Sequence, residues 1–187
     1  MFKTITKTSN FLRLYLLKFF LTFCILYFGT KVIIGITTSG GYYSQFAADY
    51  LDYVSVLRNV LMYGSKNLLS AFGFHTYLKD AFTLKLDDGR GVRMVYSCLG
   101  YGIMSFWIAF IVANRGKLLK KVKWITGGVV IIYLINVVRI SLMLIGIKKQ
   151  WSAPFGLDNH TLFAIAAYTA IFTMIFFFDR YEKKKSV

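Results

Sequence analysis

Proline, cysteine and acidic side chains are all scarce in this sequence. Its 187 residues include one proline, two cysteines, two histidines and 8 acidic residues, against 23 basic ones. With one proline and no low-complexity tract or internal repeat, there is no linker, and the length suits a single domain. Cys24 falls in the middle of one apolar run and Cys98 at the edge of another, so a disulfide between them is not expected. Neither cysteine has zinc-site spacing. Nothing else in the sequence calls for a metal or a cofactor. The shortage of acidic residues leaves a net charge of +15, which alone could suggest a nucleic-acid partner. No DNA- or RNA-binding fingerprint accompanies it. The basic residues instead cluster beside apolar runs, as in proteins oriented by a membrane, so nucleic acid is excluded as a partner.

Apolar residues are abundant: 57% of the chain is hydrophobic and 18% aromatic. Runs of this length belong in lipid and not in a water-soluble core. The hydropathy predicts four membrane spans, at 14–36, 96–114, 124–147 and 160–178. The N-terminal run is too long for a cleavable signal and has no small-residue cleavage site, so it is read as a membrane helix.

Residues 46–74 are predicted to form an amphipathic helix. Tyr50, Val54, Leu57, Leu61, Leu68 and Phe72 make its apolar stripe, and Asp49, Asp52, Asn59, Lys66, Asn67 and Ser70 lie elsewhere on the wheel. A small β-hairpin follows at 82–96. Phe82, Leu84 and Leu86 alternate with Thr83 and Lys85 before the turn Asp87–Gly91, and the returning strand leads to Cys98. The expected fold is thus an all-α integral membrane protein of about four transmembrane helices, one amphipathic helix and a small extracytoplasmic β-hairpin. Both ends and the 115–123 loop are strongly basic, which puts them on the cytoplasmic side of an inner membrane. Cys98 and His160 then face outward.

Three positions carry chemistry. A cysteine beside a span is commonly just a small buried apolar residue, and Cys24 fits that description. Cys98 differs in lying near the first turn of a helix, where free amides and the helix dipole favour a thiolate, and Gly100 allows close approach. Arg139 sits inside an apolar run at a cost of roughly 2.5–3.5 kcal/mol. It lies about 13 Å below the outer end of its helix at 1.5 Å per residue. No acidic residue lies within the spans to pair with it, and Asn136, one turn earlier, shares its face. His160 opens the last span, where a histidine can also be a plain interfacial residue. Asp158 or Asn159 can cap that helix and help orient the ring. His75 reads as a solvated loop residue.

Each of the three sits toward the outer end of a different span. Together they form an acyl-transfer set: Cys98 as nucleophile, His160 as general acid and base, and Arg139 stabilising the oxyanion. The pattern S-C-L-G at 97–100, N-x-x-R at 136–139 and a histidine at 160 resembles the exosortase/archaeosortase family of membrane transpeptidases, in its short bacterial form. The resemblance covers roughly residues 96–178. It implies a Cys/Arg/His triad, cleavage of a C-terminal sorting signal on exported proteins, and transfer of the cargo to an envelope lipid or glycan acceptor, with membrane lipids as surroundings. Two other readings fit the same residues. One is a cysteine endopeptidase resolved by water. The other is a non-catalytic membrane assembly factor in which Arg139 pairs with a partner's carboxylate.

Overall fold

The computed structural model describes residues 2–38, 42–151 and 159–184; the side chains of 2–11, 159, 160, 163 and 182–184 lie outside the described residues. Six α-helices and a three-stranded sheet make up this part of the chain. It divides into two compact units, Met1–Val60 with Leu99–Val130, and Leu61–Cys98 with Ile131–Val187.

In the first unit, α1 (Phe2–Thr37) is one continuous helix, and Leu12–Thr37 is long and apolar enough to cross a bilayer. Leu17, Phe20, Leu21, Ile25, Phe28 and Val32 are exposed along it, an apolar exterior that suits lipid as the solvent. Its other side meets α4 (Tyr101–Ala113) through aromatic rings. Phe19 and Phe106 pack edge to face at 5.3 Å, and Tyr27 stacks on Tyr101 at 5.6 Å. Trp107 of α4 is wholly buried, and its indole N–H donates to the Trp124 carbonyl at 3.0 Å. That carbonyl belongs to α5 (Leu118–Lys149), whose Gly128 lies against the indole; a Cβ there would collide with the ring.

The predicted amphipathic helix is two helices. α2 (Gln45–Tyr50) is capped by Ser44, whose Oγ accepts from the Ala47 amide at 3.4 Å. α3 (Tyr53–Ala71) starts afresh behind Asp52, whose carboxylate accepts from the Ser55 amide at 3.0 Å. Asp52 therefore works as an N-cap, which a continuous helix would not allow. The buried stripe is also rotated from the expected one. Val54, Arg58, Leu61, Met62, Ser65 and Leu69 are buried, whereas Tyr50 and Phe72 are 76% and 68% exposed.

In the second unit, α3 and α5 meet at small residues. Gly64 faces the Tyr133 hydroxyl so closely that a Cβ would overlap it. Ser141 Oγ donates to its own Val137 carbonyl at 2.9 Å and reaches the Ser65 carbonyl at 3.5 Å. The predicted hairpin is a three-stranded antiparallel sheet in the order β1 (Thr76–Asp80), β2 (Thr83–Leu86), β3 (Gly91–Arg93). Strand β1 was not anticipated. The β2–β3 turn is closed by the Leu86 amide on Arg90 O at 2.8 Å and the Gly89 amide on Leu86 O at 3.0 Å, with Gly89 at φ 84°. Leu84 and Leu86 project to one face and are fully buried, which fixes the register.

The ends of the apolar helices also differ from expectation. α5 begins before 124, so Lys120, Lys121 and Lys123 lie on its first turns and not in a loop. Lysine is a good helix former and its long stem tolerates the apolar boundary, so charge there does not end a helix. α5 ends in a Schellman motif: the Trp151 amide bonds Gly146 O at 3.0 Å, the Gln150 amide bonds Ile147 O at 3.4 Å, and Gln150 takes φ 51°. Across from this end, Arg90 Nη1 donates to Lys148 O at 2.9 Å and Ile147 O at 3.3 Å, tying the hairpin turn to the helix terminus. α6 (Asn159–Lys184) contains the apolar stretch Ala164–Tyr181. Among the described residues three helices are thus long and apolar enough to cross a membrane, with α4 a shorter apolar fourth. This is an all-α membrane protein carrying a small sheet.

Candidate active site

Cys98 reaches its position by a different route from the one its sequence suggests. β3 stops at Arg93, and after Met94 and Val95 the chain makes a 3-10 turn over Tyr96–Leu99. The α-helix begins only at Tyr101, behind Gly100 at φ 78°, a left-handed conformation that suits glycine. Cys98 therefore precedes the helix and does not sit in its first turn. Its own amide is bonded to Val95 O at 2.8 Å. The expectation that free helix amides favour the thiolate is corrected on this point. The strand still steers the cysteine, because Met94 N–H bonds Phe82 O at 2.7 Å and Tyr96 packs edge to face on Phe82 at 5.4 Å.

Arg139 meets this turn from α5. Its Nη2 donates to Cys98 Sγ at 3.4 Å, joining residues 41 positions apart. Cys98 is half-buried, neither disulfide-bonded nor deeply enclosed. The guanidinium is thus held at the sulfur. Its Nε is buried and has no hydrogen-bond partner among the described residues. Leaving a buried donor unsatisfied costs about 1–3 kcal/mol. No carboxylate among the described residues offsets the Arg139 charge; the sulfur is its hydrogen-bonding partner. Asn136, one turn earlier on α5, is 6% exposed and engaged by other groups.

Two of the predicted positions are thereby brought together. The third cannot be placed in the same terms. Asn159 and His160 open α6, but their side chains lie outside the described residues, and Asp158 lies outside them altogether. His75 is exposed just before β1, as a loop residue would be. Among the described residues no group of three or more His, Cys, Asp or Glu side chains is placed to hold a metal ion.

One buried charge escaped the sequence reading. Arg58 on α3 is only 8% exposed and is engaged by neighbouring groups. Its signal was available. Val54, Leu61 and Met62 stand at i−4, i+3 and i+4 from it, so it belongs to the apolar face of its helix.

A cysteine and an intramembrane arginine in hydrogen-bonding contact, on a chain of apolar helices, agree with what comparison of the whole chain finds. No curated protein and no solved structure matches it. The family model described as transmembrane exosortase (Exosortase_EpsH) matches residues 1–177, a span that takes in Cys98, Arg139 and His160 and extends well before the motifs noted in the sequence. The chain belongs to the transmembrane exosortase family.

Proposed function

We propose that this protein is a cysteine transpeptidase of the inner membrane. It cleaves a C-terminal sorting signal from exported proteins and passes them to an envelope lipid or glycan. Family membership supports the general activity, because the family is associated with processing of such signals. The observation that carries the assignment to particular residues is the 3.4 Å contact between Arg139 Nη2 and Cys98 Sγ. That contact holds a fixed cation beside the atom proposed to attack the scissile carbonyl, where it can also meet the oxyanion that forms.

The reaction proceeds in two halves. The His160 imidazole takes the Cys98 proton, and the thiolate attacks the scissile carbonyl carbon. As the C–S bond forms, the C=O π pair moves onto the carbonyl oxygen, so negative charge passes from sulfur to an oxygen two bonds away. Arg139 follows that charge with its remaining N–H donors, stabilisation of the kind worth about 3–4 kcal/mol in a water-poor site. The imidazolium protonates the departing amine, the C–N bond breaks, and a thioester remains on Cys98. An acceptor amine or hydroxyl then gives up its proton to His160, attacks the thioester and frees the thiol. Asn136 supports α5 one turn from Arg139, and Asp158 or Asn159 orients the imidazole.

In this reading the apolar helices make four crossings with both ends cytoplasmic, and the Cys98 turn faces outward. The clusters at Arg115–Lys123 and Arg180–Lys185 support that orientation. α4, at 13 residues, rises about 20 Å and is short for a crossing, so Arg115 and Lys117 extend to the headgroups from its cytoplasmic end.

The test uses the full-length chain in its own cells with an exported protein that ends in a short motif, an apolar helix and a basic tail. Cys98→Ala should leave that protein at its full mass. The intact chain should yield a shortened product carrying an added mass. A product ending in a free acid would make the enzyme a hydrolase, and unchanged processing by Cys98→Ala would end the proposal.

A further inference from the structure

The sheet has two edges, and they differ. On β1 the register shifts between Leu78 and Asp80, and Lys79 lies inside the irregularity. Bulges and lysines are the usual means of closing an edge to other strands. β3 has no bulge. Its residues pair with β2 as Arg93 with Thr83, Val92 with Leu84 and Gly91 with Lys85.

The flanking bonds fix which backbone groups are used. Leu86 N–H goes to Arg90 O, and Met94 N–H goes to Phe82 O. In an antiparallel ladder bonded pairs alternate with non-bonded ones. Arg90, Val92 and Met94 therefore point their amides and carbonyls toward β2, and Gly91 and Arg93 point theirs away. Those outward groups have no hydrogen-bond partner among the described residues. Gly91 is also constrained to remain glycine, since a Cβ would press on Leu84 O at 2.8 Å.

We infer that the β3 edge is the docking strand for the substrate, which adds to it as a parallel strand through the outward groups of Gly91 and Arg93. This rests on the transpeptidase reading above. Three observations favour an extended peptide there. Cys98 follows Arg93 by only five positions, the last three of them in the 3-10 turn, so the end of the edge and the sulfur belong to one short stretch of chain. Val95, between them, is 51% exposed, and Ser97 is exposed beside the cysteine, an open surface for the residues nearest the scissile bond. Main-chain bonding also requires no particular side chain, so one edge can accept different cargo sequences.

The direction follows from the order of segments. This chain runs from β3 through Cys98 into the apolar helix α4, from sheet to membrane. A sorting signal whose short motif precedes its membrane helix runs the same way, so the added strand is parallel. The paired residues therefore lie upstream of the scissile bond.

Proline at position 93 removes the outward amide and spares the β2–β3 ladder, whereas alanine removes the same side chain and keeps the amide. Processing of the reporter cargo by Arg93→Pro should fall at least tenfold below that by Arg93→Ala. Equal processing would overturn the inference while leaving the Cys98 chemistry untouched. Because the proline variant could be poorly folded, a second measurement uses Arg93→Cys in a Cys98→Ala, Cys24→Ser background. It should form disulfides with single cysteines at alternate positions upstream of the cargo's scissile bond. Disulfides at consecutive positions, downstream only, or at none would overturn it.

Discussion

Arg139 Nη2 lies 3.4 Å from Cys98 Sγ. The guanidinium approaches the sulfur as a planar fork with donors left over, which an ammonium on a lysine stem does not reproduce. Arg139→Lys is therefore expected to behave nearly as Arg139→Gln, each slowing cargo processing by about 10²–10³-fold, the loss seen on removing one oxyanion donor. The measurement is the rate of cargo shortening at matched membrane levels of each variant. Full rescue by lysine would mean that Arg139 acts as a point charge alone.

Asp80 supplies a pH-dependent contribution. The Phe82 amide donates to its carboxylate at 2.8 Å, and this bond, with help from Thr83 and the nearby Arg93, holds its pKa below the ordinary carboxylate value. A depressed pKa stabilises the folded state above the unfolded value, about 3.9, and that stability is lost as pH falls through the folded pKa. Melting curves of the wild type and Asp80→Asn in detergent should differ at neutral pH, with the wild type higher. The gap should start to close near pH about 4 and vanish only below the depressed folded pKa. A gap that persisted in acid would assign the effect to packing.

Gly128 and Trp107 form a seat that admits no side chain on the glycine. Gly128→Val should cost about 1–3 kcal/mol by overpacking. Gly128→Val combined with Trp107→Phe should cost less than the two changes summed, because the smaller ring vacates the space. Thermal midpoints of the four proteins in detergent complete the cycle, and strict additivity would show that the indole is not the obstacle.

Arg90 caps the carbonyl end of α5 from the hairpin turn through Lys148 O at 2.9 Å. Its side chain is well exposed, so its contribution is that of a surface cation at a helix terminus, about 0.3–1 kcal/mol. Arg90→Ala should lower the thermal midpoint slightly. Backbone hydrogen exchange at 147–151 should rise by more than exchange elsewhere in α5. Uniform acceleration along the helix would argue against a local cap.

The sequence declared the long apolar helices because burial in lipid writes a continuous hydrophobic run. It declared Arg139 because a cation in an apolar run is a costly choice, and Cys98 because it stands where the hairpin runs into a span. Features defined by local hydrogen bonds were harder to see. Strand β1 spans five residues with little apolar alternation, too short for its period to stand out from a loop. The break before α3 depends on the Asp52 cap, a signal present in the sequence and masked by the apolar stripe on either side. The 3-10 turn at Tyr96–Leu99 shares its composition with the helix behind it, so hydropathy merged the two and set Cys98 a turn too deep. Arg58 is hard to read because its charge masks its place on the apolar face of α3.

The Cys98 amide is committed to Val95, and this shifts where mutational risk falls. Acyl-transfer enzymes that hold a developing charge with main-chain N–H groups can vary nearby side chains, because every residue but proline supplies that donor. In the proposed mechanism the Cys98 peptide N–H is already used, and the duty would pass to a guanidinium that a single codon change can delete. Resistance to an active-site inhibitor would therefore arise more readily from substitutions along the cargo path than from changes at position 139.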